Sequence, residues 1–222
     1  MESTTALWFD IEATFAEFDR LQIEALAAEL AANKQDHEIP PRSVRGGKRD
    51  EVGDETASED WRLTKALKLA RDPEFQEAHR DGADLVELRA HLRTRLIWLK
   101  SRLLEVLPEH DAYYALLPIV VYCDELVNSV TKGRPARWEP LQSELYDVNN
   151  GGEHFYSVLE ERLRQAETHP IVFEVFYFCL KDGFVGMYQG NPKKIEEYLQ
   201  RLRDRIPCKP VTASDGPRER VQ

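Results

Sequence analysis

An all-α fold, with about seven or eight helices, is what this sequence predicts. Three observations carry the prediction. Apolar residues recur at three- and four-residue steps in one segment after another, which is the spacing of a helix face. Val, Ile and Thr are not arranged in alternating runs, so no strand can be read. The run from Ala112 to Cys123 is apolar without a break, and a helix that is apolar on all sides belongs at the centre of a bundle.

The elements follow in order. Leu7, Ile11, Phe15, Phe18 and Leu21 share one face of a first helix, and the Ala-rich stretch behind them has high helix propensity. From Lys34 to Asp60 the pattern collapses into Pro40-Pro41, Gly46-Gly47, Gly53 and mixed charges. Such a segment buries too little surface to offset chain entropy, so 34–60 is expected to be a flexible polar linker. Helical signal returns at Trp61, with Leu63, Ala66, Leu67 and Ala70. Leu85, Leu88, Leu92, Leu96, Leu99, Leu103 and Val106 then form a long stripe that Pro108 stops; its other side carries Arg89, Arg93, Arg95, Lys100 and Arg102, expected to be a solvated basic face.

The central helix spans His110 to Val130 and is expected to kink at Pro118. A short helix is expected at Pro140 to Asp147, and a turn at Asn149-Asn150-Gly151-Gly152. Two further helices cover Glu153 to Ala166 and the aromatic segment from Pro170, and Asn191-Pro192 opens the last one. Gly183 and Gly186 interrupt a helical pattern at about 1 kcal/mol each relative to Ala, which points to close helix approach or a break near Phe184. The domain reading is 1–33 as the N-terminal helix of the bundle, 34–60 as linker, 61–206 as the helical domain, and 207–222 as a disordered tail.

Composition narrows the function. The 222 residues carry 30 Lys and Arg against 40 Asp and Glu, a net charge of −10. Phosphate binding needs a basic surface, so nucleic acid is not an expected partner. With hydrophobic residues at 42% and charged residues at 32%, a multi-span membrane protein and a wholly disordered chain are both excluded. The longest apolar run falls short of the about 20 residues a bilayer crossing requires, and the N-terminus has no signal-peptide pattern. Three widely spaced cysteines, Cys123, Cys179 and Cys208, define no disulfide framework and suit a reducing, cytoplasmic compartment.

Chemistry-bearing motifs are missing. There is no C-x-x-C, no H-E-x-x-H and no Glu three residues before a histidine, so neither a metal nor a di-iron site is expected. Gly183, Gly186 and Gly190 lack the Lys-Ser/Thr of a phosphate loop. Cys123 lies beside Asp124 and Glu125, which disfavour a thiolate. No catalytic residue and no cofactor are expected. The residues that stand out are Asp124 and Glu125, which end the apolar run. Lying about 100° apart on a helix, they cannot leave the core by the same route. One is expected to be a structural partner in a seam, with Asp124 the choice, and the other a docking charge. Glu153, in a helix first turn, joins them as a candidate for partner binding.

Five blocks of residues resemble one family. They are Tyr113 to Glu125, then Trp138 with Pro140-Leu141-Gln142, then Gly151-Gly152-Glu153-His154-Phe155-Tyr156, then Glu174 to Leu180, then Gly183-Phe184-Val185-Gly186-Met187-Tyr188. In that order they are similar to the DotU/IcmH family, whose type VI secretion member is called TssL. The family pattern is an apolar helix ending in Asp-Glu, a Trp, a Gly-Glu-x-Phe-Phe-like box and a Gly-Phe-x-Gly-x-Tyr box, matched in register from about Leu85 to Ile206. Trp138, Gly152, Phe155, Gly183, Phe184, Gly186 and Tyr188 are its structural residues here.

The resemblance implies a hook-like structure of two packed helical bundles and a scaffolding role without catalysis. It also implies a place on the cytoplasmic face of the bacterial inner membrane, among an IcmF/TssM-like subunit and baseplate components, and leaves room for a homodimer. The Glu and Arg of the common Gly-Phe-Glu-Gly-Arg-Tyr form are Val185 and Met187 here, so polar contacts made there by relatives do not carry over. Family members carry a C-terminal anchor; none follows Ile206 here, so membrane attachment is expected through an anchor missing from this chain or through a partner. Alternatives are a type IVB DotU-like subunit and a generic soluble helical adaptor.

Overall fold

The computed structural model describes residues 2–33, 57–79, 83–131 and 138–207. Most of the expected linker, 34–56, and the tail 208–222, with Cys208, lie outside the described residues. Among those described there are nine α-helices and no strand: α1 (Glu2–Asn33), α2 (Ala57–Leu69), α3 (Pro73–Ala78), α4 (Leu85–Val106), α5 (Glu109–Thr131), α6 (Leu141–Tyr146), α7 (Gly151–Arg164), α8 (Pro170–Lys181) and α9 (Pro192–Arg203). A 3-10 turn covers Gly186–Tyr188.

Local chemistry sets the helix starts. Asp84 caps α4 by accepting from the amides of Val86 and Glu87 at 2.9 and 3.0 Å. Asn191 caps α9 through the amide of Lys194, with Pro192 in the first turn, where its missing N–H costs nothing. Asp72 and Pro73 open α3 in the same manner, a helix the sequence pattern did not separate from its neighbours. α2 begins at Ala57 instead of Trp61, so the last residues assigned to the linker are helical. Gly151 and Gly152, expected in a turn, form the first turn of α7.

α5 is the hub. It packs against α1, α4, α6, α7 and α8, and Ala112, Ala115 to Val121, Tyr122 and Cys123 are all buried. Pro118 is accommodated inside the continuous helix. The stripe Leu88, Leu92, Leu96, Leu99 and Leu103 of α4 is buried, as are Leu7, Ile11, Phe15, Phe18 and Leu21 of α1. These join Phe155, Phe173, Phe176 and Phe184 in one large core. A second, small cluster of Ala27, Ala66 and Ala70 lies where α1 meets α2.

The α4 basic face is not simply solvated. Arg89 donates to the carbonyl of Glu139 at 3.0 Å and to Glu144 at 2.8 Å, and Arg93 donates to Glu144. Arg95 donates to Thr14 Oγ1 at 3.0 Å, and Arg102 to Asp10 at 2.9 Å. Four of the cations therefore tie α4 to α6 and α1, because a guanidinium can reach past the apolar stripe to acceptors on neighbouring helices.

Candidate functional site

Two acidic residues of α5 build the loops that form the candidate site. Asp124 and Glu125 are neighbours on one helix and point into two different seams, as their angular separation requires. Asp124 faces α6. Its Oδ1 accepts from Trp138 Nε1 at 2.8 Å and the Leu141 amide at 2.9 Å, and its Oδ2 accepts from the Gln142 amide at 2.8 Å. Pro140 stands at the N-cap of α6 and offers no side-chain cap, so α5 supplies one from outside. The bonds satisfy first-turn amides that a six-residue helix leaves without intrahelical partners.

Glu125 performs the same service for the next loop. Its carboxylate accepts from the amide of Val185 at 3.1 Å and that of Gly186 at 3.2 Å. Val185 is the N-cap of the 3-10 turn and makes no side-chain cap bond. Burial pushes both carboxyls up, and the bonds they accept from amides, with the Trp138 indole for Asp124, work against that shift.

Asp124 is only 2% exposed, all its bonds are internal, and no partner surface can reach it. Glu125 is half-buried, and its carboxylate is engaged by the loop amides. Glu153, by contrast, is exposed and accepts from Asn150 Nδ2 at 2.9 Å.

The loop after α8 is shaped by two glycines. Gly183 has φ 107° and Gly186 φ 48°, a region open to glycine at little cost. Between them Phe184 turns inward, fully buried, with its ring 4.1 Å from that of Phe155. The backbone then passes over the start of α7. A Cβ on Gly152 would lie 3.1 Å from the Gly186 Cα, and one on Gly186 would lie 2.9 Å from the Gly152 carbonyl oxygen. The expectation of a helix break and that of a close approach are thus both met at this point. Tyr188 closes the turn against Tyr156 and Tyr198, and Tyr156 donates to the Val185 carbonyl at 3.1 Å. Met187 is left half exposed at the tip, beside the first turn of α7 that carries Glu153. Residue 185 is held through its backbone alone, so Val in that position leaves the anchoring intact.

Sequence reasoning missed other members. Gln142 fills the space over Gly151, where a Cβ would lie 1.8 Å from its Oε1. Arg62, Asp19, Tyr122 and Asp182 form a network at the entry to the loop. Asp182 directly precedes Gly183, and Tyr122 and Gln142 lie within the family-like blocks; Arg62 and Asp19 carried no signal, since they are separated along the chain and meet the others only in space. Among the described residues no group of three or more His, Cys, Asp or Glu is placed to hold a metal ion. No helix among them is long and apolar enough to cross a membrane.

Fold and site together define an all-α domain in which buried carboxylates of a central helix hold loops in place. The family model described as "Type VI secretion system protein DotU" matches residues 64–221. The chain belongs to the DotU family, and it is a subunit of a secretion system. Among solved structures it is similar to "3D Structure of DotU from Francisella novicida", at 24% identity over 55% of this chain and 81% of that chain, with a TM-score of 0.49. No curated protein matches the chain.

Proposed function

We propose that this protein is a non-enzymatic docking subunit of a type VI secretion membrane complex. It stands at the cytoplasmic face of the inner membrane and joins an IcmF/TssM-like subunit to baseplate components. Family membership over residues 64–221 supports the type VI reading above a type IVB one or an unrelated adaptor. The single observation that carries the docking role is the pinned loop: backbone amides at 185 and 186 are bonded to Glu125, and the loop presents exposed Met187 next to Glu153. A docking surface benefits from a loop ordered before the partner arrives, because less entropy is lost on association. Asp124 and Glu125 serve that surface from beneath, and Glu153 and Met187 meet the partner. We infer further that residues 61–206 act as the docking domain, with 1–33 completing its bundle.

The experiment is capture of purified IcmF/TssM-like and baseplate subunits by Glu153→Lys and Met187→Asp variants. Melting temperatures within about 1 °C of the parent, together with loss of capture of at least one subunit, are expected, since substitutions at exposed positions change stability little. Unchanged capture by both variants overturns the loop as the docking surface.

A further inference from the structure

Arg62 is buried, with 7% of its side chain exposed, and it comes from α2, outside the segment matched by the family model. Its Nε donates to Asp19 Oδ1 of α1 at 2.7 Å, and its Nη2 donates to Asp182 Oδ2 at 2.8 Å. Asp182 is the C-cap of α8 and the last residue before Gly183. Tyr122 of α5 donates to the same Asp182, with its hydroxyl 2.7 Å from Oδ2 and 2.8 Å from the carbonyl oxygen. The loop that carries Met187 is therefore held from two sides. Glu125 binds it just ahead of Met187 through the amides of Val185 and Gly186. Arg62 and Tyr122 bind its entry through Asp182, immediately ahead of the positive-φ glycine.

We propose that Arg62 is a positioning residue for the 183–190 docking loop, so that the α1–α2 pair sets the pose in which the loop meets its partner. The inference rests on the docking role proposed above for that loop. The physical case is one of geometry. A guanidinium presents donors in a rigid fork and can serve two carboxylates at once, here one on α1 and one at the loop. α8 ends at Lys181, and past it the loop entry is held by three backbone bonds, Asp182 to Phe178 at 2.8 Å, Gly183 to Leu180 at 3.3 Å and Phe184 to Cys179 at 2.9 Å. A Cβ on Gly183 would meet nothing within 4 Å, so this residue is held by its backbone bonds and not by side-chain packing. Removing the Arg62 charge leaves the Asp182 carboxylate to Tyr122 and takes away the side-chain tie from the loop entry to α2.

The test is amide hydrogen exchange on the full chain, comparing peptides over 183–190 with peptides over 153–160 as an internal reference. The variants are Arg62→Gln, Arg62→Lys and Ala27→Gly. Ala27→Gly weakens the α1–α2 contact without touching the bridge. Arg62→Gln is expected to speed exchange in 183–190 at least about tenfold, the ratio that about 1.4 kcal/mol of lost loop stability produces. Ala27→Gly is expected to leave the loop within about twofold of the parent. Arg62→Lys keeps the charge but serves one carboxylate, and is expected to fall between; it carries the test alone if Arg62→Gln does not fold. Equal loop exchange in the Arg62 variants and Ala27→Gly overturns the proposal and leaves Arg62 as a staple of the bundle. Faster loop exchange with undiminished capture of the partner subunits upholds the positioning role and removes the docking reading of the loop.

Discussion

Replacing Asp124 tests whether α6 is held from α5. In Asp124→Asn the amide oxygen can keep the Oδ1 position, with its bonds from Trp138 Nε1 and the Leu141 amide. The amide nitrogen then sits at the Oδ2 position, 2.8 Å from the Gln142 amide in the parent, and two donors face each other. One buried donor is left without an acceptor, at a cost of about 1–3 kcal/mol. Relief of the burial that pushes the Asp124 carboxyl up returns part of this, so the lower half of that range is expected. In Asp124→Ala all three donors lose their acceptor, and about 3–5 kcal/mol is expected, the scale of a broken buried charge contact. At about 2–4 °C per kcal/mol for a chain of this size, the melting temperature falls by roughly 2–8 °C and 6–20 °C respectively. The assay is urea denaturation of the parent, Asp124→Ala, Trp138→Phe and the double variant. Trp138→Phe deletes the indole donor, so a coupling of about 1 kcal/mol or more with Asp124→Ala is expected. Zero coupling, or an Asp124→Ala protein as stable as the parent, would refute the account of α6 as a helix capped from its neighbour.

Other outcomes follow from the same contacts. Gly186→Ala puts a Cβ against the Gly152 carbonyl and the Phe184 ring at a positive φ; it should cost about 1–3 kcal/mol by overpacking and raise proteolytic cleavage in 183–190, whereas Gly183→Ala meets no neighbour and should cost about 1–3 kcal/mol through backbone strain at its φ of 107° alone. The Arg201 guanidinium on Glu160 holds that carboxyl down to about 2, so its contribution is present above the unfolded value of about 4.3 and lost as pH falls through it towards 2. Glu160→Gln should therefore lower the melting temperature at pH 7 and converge on the parent by pH 2; an offset that is the same at both pH values contradicts the pairing. Burial pushes the thiols of Cys123 and Cys179 well up, the Asp124 charge adding to it for Cys123. Neither should react with a small thiol reagent in the native protein, while both should in denaturant.

Much of this architecture was legible along the chain. Helices announce themselves through a local period, so the stripes of α1, α4 and α9 could be read without knowing what covers them. α5 was legible as the hub because it is apolar on all sides, and Asp124 and Glu125 stood out for the same reason: a charge beside such a run must find partners. The five family-like blocks were legible as a pattern, and the family model over 64–221 agrees with it. The sequence by itself thus determined the fold class, the central helix and the family. Only the tertiary structure decided what the acidic pair does. Whether a carboxylate caps a neighbouring loop or faces a partner depends on which amides lie within about 3 Å of it, and those amides, at 141, 142, 185 and 186, are far away in sequence. The same holds for Arg62, whose acceptors sit on α1 and at the end of α8. Hydrogen bonds over such separations leave no period and no local composition, because they are made by packing helices whose spacing the chain does not encode residue by residue.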